Sequence, residues 1–445
     1  MRRFLCEDLR EWKNSSRRKP LILRGARQVG KTYLLKEFCK SNFKQVYYCN
    51  FEEQPQFAKV FHGSLSPSTL LQDIGLLLGK KIEVNNAILV FDEIQSCPQA
   101  LTSLKYFSEN LPELPVCSAG SLLGLELNHA SFPVGKVDFL ELYPLSFGEF
   151  LCATRNELLH EALLSFVQNN NLSQIAHDKL WEQFKRYLIV GGMPEAVKCY
   201  AEKLDSPVDA FSAAKKAHDS LLLSYEADIA KHSGENNSMH IQRLFRNVPE
   251  QLAKDVDGAA SKFVFKEAIG GIRGYERLSG VIDWLETAGL IIRVPIVHKA
   301  ALPFSAFAKE NNFKLFLFDV GLLTSLSGLT PKVVMDYSFG SYKGYLAENA
   351  VASLLLTSKQ HRLYSWKEKN SELEFLLSVD GEIVPIEVKS GRNVRARSLS
   401  VFMGKYAPKC SVVLSSKPPI SNKQPSHLPL YCAEFLAEIL KKMIN

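Results

Sequence analysis

The sequence of 445 residues lacks the patterns that mark several classes of protein. Its nine cysteines include no C-x-x-C pair, and its histidines form no cluster at the spacing of metal ligands. These gaps argue against a disulfide framework and against a zinc module, and they suit a reducing compartment.

Long hydrophobic runs and a strong charge bias are missing as well. No apolar stretch reaches the roughly 18 residues of a membrane-spanning helix, and the N-terminal stretch MRRFLCEDLREWKNSSRRKP has no apolar core of a secretory signal. We therefore expect a cytoplasmic protein without a membrane partner. The formal net charge of +7 permits a polyanionic partner such as DNA but does not require one.

Short apolar runs alternate with amphipathic segments in the first third of the chain. The runs typical of buried strands are 21–25, 45–51, 87–94, 115–121 and 136–143. Strands that alternate with helices predict a parallel sheet covered on both faces. Ligands of such sheets bind beyond the carboxyl ends of the strands.

A glycine-containing segment follows the first of these strands and precedes a predicted helix. It reads Gly25-Ala26-Arg27-Gln28-Val29-Gly30-Lys31-Thr32 and matches the phosphate-binding pattern G-x-x-x-x-G-K-[ST] in its required context. The glycines let backbone N–H groups point at phosphate oxygens, and the helix adds its positive N-terminal end. We expect Lys31 to reach the β- and γ-phosphates of ATP and the Thr32 hydroxyl to bind Mg²⁺.

The predicted strand 87–94 carries two carboxylates, Asp92 and Glu93, at its end. Two carboxylates at the rim of a sheet are costly unless a cation or a substrate lies near. We expect Asp92 to hold the Mg²⁺ shell and Glu93 to orient and deprotonate the attacking water. Because this pair suits attack by water, it favours ATP hydrolysis over phosphate transfer to a small molecule.

A polar side chain at the end of the fourth strand is expected to sense the γ-phosphate. Ser121 is our candidate, and Ser118 in the same strand is the alternative. No arginine finger is assigned. Lys136 and Arg155 are candidates for a cation acting in trans if the protein forms a homo-oligomer, which the sequence leaves open.

The rest of the chain divides into three further predicted domains after a core of residues 1–155. Residues 156–238 have a pattern of successive helices and predict a helical lid. Residues 239–330 read as helices followed by a strand and predict a winged helix, a fold that serves in DNA binding or as a plain interaction module. Residues 331–445 form the C-terminal domain.

In the C-terminal domain, the sequence predicts a hairpin whose turn is Asp380-Gly381. Because strand side chains alternate, Glu372 and Glu374 share one face of the first strand, and Glu387 and Lys389 share one face of the second.

A helix upstream of this hairpin could bring Glu348 to the same place. Carboxylates beside an E-x-K tripeptide are what metal-dependent phosphodiester cleavage needs. A half-exposed hairpin shows the same alternation without any chemistry, so that both interpretations stay open.

Motifs along nearly the whole chain resemble those of the AAA-like P-loop ATPases of the DUF4143 type. The N-terminal ones are GARQVGKT, LVFDEIQ, AGSLLG, FPVGKV and YPLSFGEFL, and the later ones are YLIVGGMPEAV, FDVGLL and YLAENAVASLLL…SELEFLLSVDGEIVPIEVKSG. The resemblance implies an α/β protein with a P-loop ATPase core. It further implies a winged-helix segment and a restriction-endonuclease-like C-terminal domain of the PD-(D/E)xK type.

The same resemblance implies that Glu348, Glu374, Glu387 and Lys389 occupy the motif positions of a nuclease site. Glu374 departs from the pattern, because that position usually holds Asp, and an added methylene displaces the carboxylate. Two functions follow as hypotheses. One is an ATPase whose C-terminal domain cuts or grips DNA or another nucleic acid, and the alternative is a regulatory nucleotide switch whose inactive C-terminal domain binds a protein.

Overall fold

The structure is a computed structural model that describes most of the chain in two compact units. The described residues are 1–121, 133–233, 235–252, 262–269, 274–337, 340, 342–358, 362–391, 396–420 and 423–444. The N-terminal unit consists of Arg2–Tyr143 with Thr287–Gly289, and the C-terminal unit consists of Met1, Pro144–Glu286 and Leu290–Asn445.

The N-terminal unit is built on a parallel sheet. In its described part the strands are β1 (Leu21–Gly25), β2 (Gln45–Asn50), β3 (Ala87–Asp92), β4 (Val116–Ser121) and β5 (Asp138–Glu141). The helices are α1 (Leu5–Asn14), α2 (Lys31–Asn42), α3 (Gln56–Val60), α4 (Pro67–Leu78) and α5 (Pro98–Asn110). The predicted α/β class with a parallel sheet is thus confirmed.

The strand order of this sheet is β2-β3-β4-β1-β5, and all four pairings are parallel. β3 is buried along its whole length, which its apolar composition requires of a strand covered on both faces. β4 lies between β1 and β3. The carboxyl ends of β1, β4 and β3 therefore lie side by side at one edge of the sheet.

An aromatic cluster supports the end of β3. The ring of Phe91 lies 5.7 Å from that of Phe51, 5.6 Å from that of Phe61 and 6.2 Å from that of Phe107, measured between centroids. Rigid aromatic packing of this kind fixes the backbone of the strand where its side chains change from apolar to acidic. The position of Asp92 is set by this packing.

The C-terminal unit combines many helices with a second sheet. Its described helices are α6 (Phe147–Ala153), α7 (Glu157–Asn169), α8 (Gln174–Val190), α9 (Pro194–Ala201), α10 (Pro207–Ser233), α11 (Glu235–Leu252), α12 (Phe265–Ala268), α13 (Tyr275–Thr287), α14 (Val320–Leu326), α15 (Pro331–Asp336), α16 (Tyr342–Thr357), α17 (Arg397–Tyr406) and α18 (Leu436–Ile444). Its described strands are β6 (Ile291–Val297), β7 (Ala308–Leu317), β8 (Tyr364–Glu368), β9 (Ser371–Val379), β10 (Glu382–Lys389), β11 (Val412–Ser415) and β12 (Ser426–Pro429).

This second sheet is mixed and has the order β12-β11-β10-β9-β8-β6-β7. β6 pairs in parallel with β8, so β6 and β7 extend the sheet that contains the predicted hairpin. The four predicted domains stay a prediction, because one compact unit can contain several domains. Parts of the predicted winged helix, 253–261 and 270–273, lie outside the described residues.

The hairpin itself has the predicted strands and turn. β9 and β10 pair antiparallel, with Glu382 opposite Val379. Asp380 and Gly381 both adopt positive φ, as a two-residue hairpin turn of this kind requires. Among the described residues, no helix is both long and apolar enough to cross a membrane.

Candidate active site

The loop after β1 takes the shape that its two glycines allow. A Cβ at Gly25 would lie 2.3 Å from the carbonyl oxygen of Leu142, so a larger residue cannot occupy that position without a shift of backbone. Gly30 has a φ of 94° in the left-handed region and forms the N-cap of α2. The spacing of the glycines in the sequence is therefore explained by two separate backbone requirements.

Lys31 begins α2 with its ammonium group held inside this loop. Nζ donates hydrogen bonds to the carbonyl oxygens of Gly25 at 3.0 Å and Ala26 at 2.8 Å. Burial lowers the pKa of Lys31 to about 8, an effect that the nearby carboxylates of Glu93 and Asp92 oppose. The loop thus presents a buried cation close to two acids on β3 and just beyond it.

Asp92 is wholly buried at the carboxyl end of β3. Its Oδ1 accepts a hydrogen bond from the backbone N–H of Glu93 at 3.0 Å, and its Oδ2 accepts one from the hydroxyl of Tyr48 on β2. The pKa of Tyr48 is raised, first by burial and then by this contact with Asp92. These donors hold the carboxylate in a fixed orientation.

Glu93 adopts left-handed backbone geometry, with a φ of 52°, which is uncommon for a residue with a side chain. Its carboxylate accepts a hydrogen bond from the side chain of Gln95. Burial raises the pKa of Glu93 above its ordinary value, and the charge of Asp92 adds to that rise. A carboxylate with a raised pKa is a stronger base, which is useful where a proton must be accepted from water.

The two serines of β4 differ in position. Ser118 is fully buried and donates a hydrogen bond to the carbonyl oxygen of Leu21 at 3.0 Å, which ties it to the neighbouring strand. Ser121 ends the strand in register with Gly25. Because β4 lies between β1 and β3, this register places Ser121 beside the start of the loop that contains Lys31.

Two residues that the sequence analysis missed contact this site. One is Tyr48, described above, and the other is Arg3, which is buried although it lies almost at the N-terminus. The guanidinium of Arg3 donates to the carbonyl oxygens of Val29 at 3.0 Å and Tyr143 at 2.5 Å. Nothing in the sequence distinguishes Arg3 from the exposed Arg2 beside it.

The C-terminal unit brings the four residues of the predicted nuclease site to one face of the second sheet. Glu348 on α16 and Glu374 and Glu387 on the hairpin are all buried. Oε2 of Glu374 accepts a hydrogen bond from the backbone N–H of Val388 at 2.9 Å. Oε1 of Glu387 pairs with Nζ of Lys389 at 2.5 Å.

A fifth residue, Lys314 on β7, lies in the same cluster and was not predicted. Its Nζ is 2.7 Å from Oε1 of Glu372 and 3.9 Å from Oε2 of Glu348. A signal was present in the sequence, because NNFKLFLFDV places one lysine inside an apolar run. A charged residue in such a run needs a buried partner.

Comparison with protein families assigns three regions of the chain. A model of an AAA domain matches residues 17–151, and two models of domains of unknown function, DUF8612 and DUF4143, match residues 181–333 and 343–431. The chain carries an AAA domain and a DUF4143 domain. The AAA domain coincides with the parallel sheet and with the glycine-containing loop after β1, and the N-terminal unit thus has the fold of a P-loop ATPase.

Individual relatives are distant. The uncharacterized protein MJ1637 of Methanocaldococcus jannaschii is 22% identical over 420 residues, which cover 87% of this chain and 79% of that protein. Among solved structures, the Walker-type ATPase PABY2304 of Pyrococcus abyssi is 17% identical with a TM-score of 0.45 and covers 72% of this chain and 95% of that chain. The RuvB Holliday junction branch migration motor of Thermotoga maritima is 15% identical with a TM-score of 0.25, and the match covers 64% of this chain and 86% of that chain.

The residues of the AAA domain fit a Mg²⁺ ion bound together with a nucleotide. Mg²⁺ prefers oxygen ligands and usually keeps waters and substrate phosphates in its shell, so few protein ligands are needed. Asp92 offers a buried carboxylate, and Thr32 offers a hydroxyl in the first turn of α2. The assignments of Thr32, Asp92, Glu93 and Ser121 stay predictions.

The residues of the DUF4143 domain do not fit a metal ion in the same way. Within the described ranges, no group of three or more His, Cys, Asp or Glu side chains is arranged to hold one. One oxygen each of Glu372, Glu387 and Glu374 is instead paired with Lys314, Lys389 and the backbone N–H group of Val388, respectively.

Proposed function

We propose that the AAA domain binds ATP together with Mg²⁺ and hydrolyses the bond between the β- and γ-phosphates by attack of water. The observation that carries this proposal is the position of Lys31. Its buried ammonium is held by two loop carbonyl groups and lies in the field of Asp92 and Glu93. Such an arrangement can bind phosphate and accept a proton from water at the same edge of the sheet.

Each residue has one role in this proposal. Lys31 and the backbone N–H groups of the loop bind the β- and γ-phosphates. Thr32 and Asp92 hold the Mg²⁺ shell, and the bound ion neutralises charge that develops on the phosphate oxygens. Glu93 orients the water and accepts its proton, and Ser121 senses the γ-phosphate.

The test is a measurement of Mg²⁺-dependent ATP hydrolysis and of ATP binding on three proteins. These are the wild type, Lys31→Ala and Glu93→Gln. We expect Lys31→Ala to lose both binding and hydrolysis, because the loop loses its cation. Glu93→Gln should still bind ATP but hydrolyse it at least about 100-fold more slowly, because its side chain no longer accepts a proton.

A matched control is Glu53→Gln, which alters an exposed acid of the same unit. It should hydrolyse ATP at the wild-type rate. If Glu93→Gln retained full turnover, the role of Glu93 as base would be wrong. If the wild type bound ATP without any turnover, the proposal of hydrolysis would fail and a nucleotide-gated switch would remain.

For the DUF4143 domain we propose partner binding controlled by nucleotide, without cleavage. This follows the alternative of the two functions that the sequence leaves open, in which an inactive C-terminal domain binds a protein. The observation that favours it is the pairing of Glu374 and Glu387 with groups of the protein itself. To bind a catalytic metal ion, those two oxygens would have to give up these partners, one of which is a cation.

The wild type and Glu387→Gln test this second proposal and show whether the partner is a nucleic acid. Duplex DNA, single-stranded DNA and RNA are incubated with the protein, Mg²⁺ or Mn²⁺ and ATP, and both cleavage and binding are measured. Cleavage that Glu387→Gln abolishes would overturn the proposal. Binding that weakens steeply with salt would show a nucleic-acid partner, because phosphate contacts release counterions.

A further inference from the structure

We propose that Lys314 is a built-in cation of the DUF4143 domain and takes the place of the divalent metal ion that an acidic cluster of this kind would otherwise bind. The acidic cluster consists of Glu348, Glu372, Glu374 and Glu387. The inference does not depend on ATP hydrolysis, because it concerns the second sheet and is tested without nucleotide.

The first support is the position of the Lys314 side chain. It has no exposed surface, and its ammonium is 2.7 Å from Oε1 of Glu372 and 3.9 Å from Oε2 of Glu348. The ammonium therefore lies between carboxylates of a strand and a helix.

The second support is that the strands and the helix fix this ammonium in place. Lys314 pairs with Val294 in the register of β6 and β7, inside the seven-stranded sheet. On α16, the side chain of Asn349 accepts a hydrogen bond from the backbone N–H of Leu317 at 2.8 Å and donates one to its carbonyl oxygen at 2.9 Å. The neighbouring Glu348 is thereby held against β7.

The third support is the engagement of the other carboxylates. Glu374 accepts the N–H of Val388, Glu387 pairs with Lys389, and Glu372 also pairs with Lys367 at 2.7 Å. Among the described residues, Oε2 of Glu387 is the carboxylate oxygen of the hairpin that is buried without a hydrogen-bond partner. The oxygens that are paired in this way are not free for a divalent cation, which needs several oxygen ligands.

Charge balance leads to the same conclusion. The four carboxylates of the acidic cluster face the ammonium groups of Lys314, Lys367 and Lys389. A divalent cation would have to enter next to Lys314 and would be repelled by it at short range. These three ammonium groups thus offset most of the negative charge of the four carboxylates.

The test compares two lysines that form ion pairs with the same carboxylate, that of Glu372. Lys314 and Lys367 both lie 2.7 Å from Glu372, but Lys314 is buried whereas the side chain of Lys367 is 47% exposed. We measure thermal unfolding of wild type, Lys314→Met and Lys367→Met in full-length, nucleotide-free protein, with EDTA and with millimolar Mg²⁺ or Mn²⁺. Methionine keeps the length of the side chain and removes its charge.

We expect Lys314→Met to unfold on the order of 5–10 °C below the wild type in EDTA, because removal of one partner leaves buried charge unpaired. Mg²⁺ or Mn²⁺ should restore part of this loss, because the vacated position can then accept a cation. Lys367→Met should unfold at nearly the wild-type temperature, and neither it nor the wild type should be stabilised by the metals. If Lys314→Met were as stable as the wild type, the proposal would be overturned.

A second measurement keeps the proposal falsifiable if Lys314→Met does not fold. Mn²⁺ binding to the nucleotide-free wild type is measured directly, with Glu387→Gln as the comparison. If the wild type binds Mn²⁺ and Glu387→Gln does not, the cluster binds a metal ion despite Lys314, and the inference is refuted. The inference requires that the wild type binds no more Mn²⁺ than Glu387→Gln does.

Discussion

The hydroxyl of Tyr48 donates a hydrogen bond to Oδ2 of Asp92. The two residues lie on neighbouring parallel strands, and Asn50, at the end of β2, is in register with Asp92. The ring of Tyr48 also packs under the ammonium of Lys36, 4.6 Å from its centroid, and Lys36 lies one turn after Thr32 on α2. Tyr48 therefore links the strand that presents Asp92 to the helix that presents Thr32.

The first prediction concerns this tyrosine as a positioning residue. Tyr48→Phe removes the hydroxyl and leaves the ring, so that Asp92 loses one of its donors. A hydrogen bond to a charged group contributes about 1.5–3 kcal/mol, and we expect roughly a tenfold loss of kcat/KM for ATP. The half-saturating concentration of Mg²⁺ should rise as well, which a purely structural role would not produce.

Tyr47→Phe is the matched control for that measurement. The hydroxyl of Tyr47 contacts the side chain of Gln45 and, at 3.2 Å, the carbonyl oxygen of Lys81. Its loss should lower stability and leave the Mg²⁺ dependence unchanged. An unchanged Mg²⁺ dependence in Tyr48→Phe would mean that Tyr48 does not position Asp92.

The second prediction concerns the buried Arg3. Arg3→Met removes both hydrogen bonds to the carbonyl oxygens of Val29, which lies in the loop 25–32, and Tyr143. We expect ATP affinity to fall by roughly tenfold, which corresponds to about 1.4 kcal/mol. Titration with a fluorescent ATP analogue measures the affinity.

Arg2→Met serves as the control, because Arg2 is exposed and carries the same charge. It should bind ATP as tightly as the wild type. Equal losses in Arg2→Met and Arg3→Met would point to a general effect of charge and would contradict a specific role of Arg3.

The sequence predicted the P-loop sheet well because its signals are local. The predicted strand 21–25 matches β1, and the predicted strand 87–94 contains β3, which ends at Asp92, together with Glu93 directly after it. The pattern of apolar residues along a short stretch of chain is enough to predict such strands. The contacts of Arg3 with Val29 and Tyr143 bridge 26 and 140 residues and leave no local trace.

The cluster in the DUF4143 domain shows the same limit. Alternation along a hairpin was enough to place Glu374 and Glu387 on one face. It could not reveal that Lys314 lies between the acids. β7 belongs to this sheet only because it pairs with β6, and β6 pairs with β8, which is far away in the sequence. The chemistry of the cluster depends on that distant residue, and so the predicted ligands alone could not determine whether a metal binds.

The third prediction concerns the close approach of two backbones at Gly192. A Cβ at this position would lie 2.1 Å from the carbonyl oxygen of Leu145, and the N–H of Gly192 donates to Oδ2 of Asp319 at 2.7 Å. Gly192→Ala must displace one of these partners, so we expect a loss of about 2–4 kcal/mol in the free energy of unfolding. Chemical denaturation measures the loss.

The control for Gly192 is Gly280 in α13, where a Cβ would meet open space. Gly280→Ala should stabilise the protein by about 0.5–1 kcal/mol, because alanine loses less backbone entropy than glycine in a helix. A destabilised Gly280→Ala, or an unaffected Gly192→Ala, would contradict this account of the packing.

The last prediction is a pH dependence that arises from Glu434. This residue is buried, and its Oε1 accepts a hydrogen bond from the N–H of Gly148 at 2.7 Å in the first turn of α6. Burial raises the pKa of Glu434 to about 8, and hydrogen bonds from Ser146 and Gly148 oppose the rise. The folded protein therefore keeps Glu434 protonated at neutral pH, whereas the unfolded chain ionises it near its ordinary pKa of 4.5.

The sign of the effect follows from proton binding. Between pH 4.5 and about 8 the folded state holds one more proton than the unfolded state, so stability falls as pH rises through this window. The slope contributed by Glu434 is at most about 1.4 kcal/mol per pH unit, and it vanishes above the folded pKa. Glu434→Gln stays neutral and should lack this slope, as measured by denaturation at several pH values from 5.5 upward. The exposed Glu438 on α18 provides the comparison, since Glu438→Gln should keep the wild-type slope. If the free energy of unfolding depended on pH in the same way in the wild type and in Glu434→Gln, the buried, protonated state would be disproved.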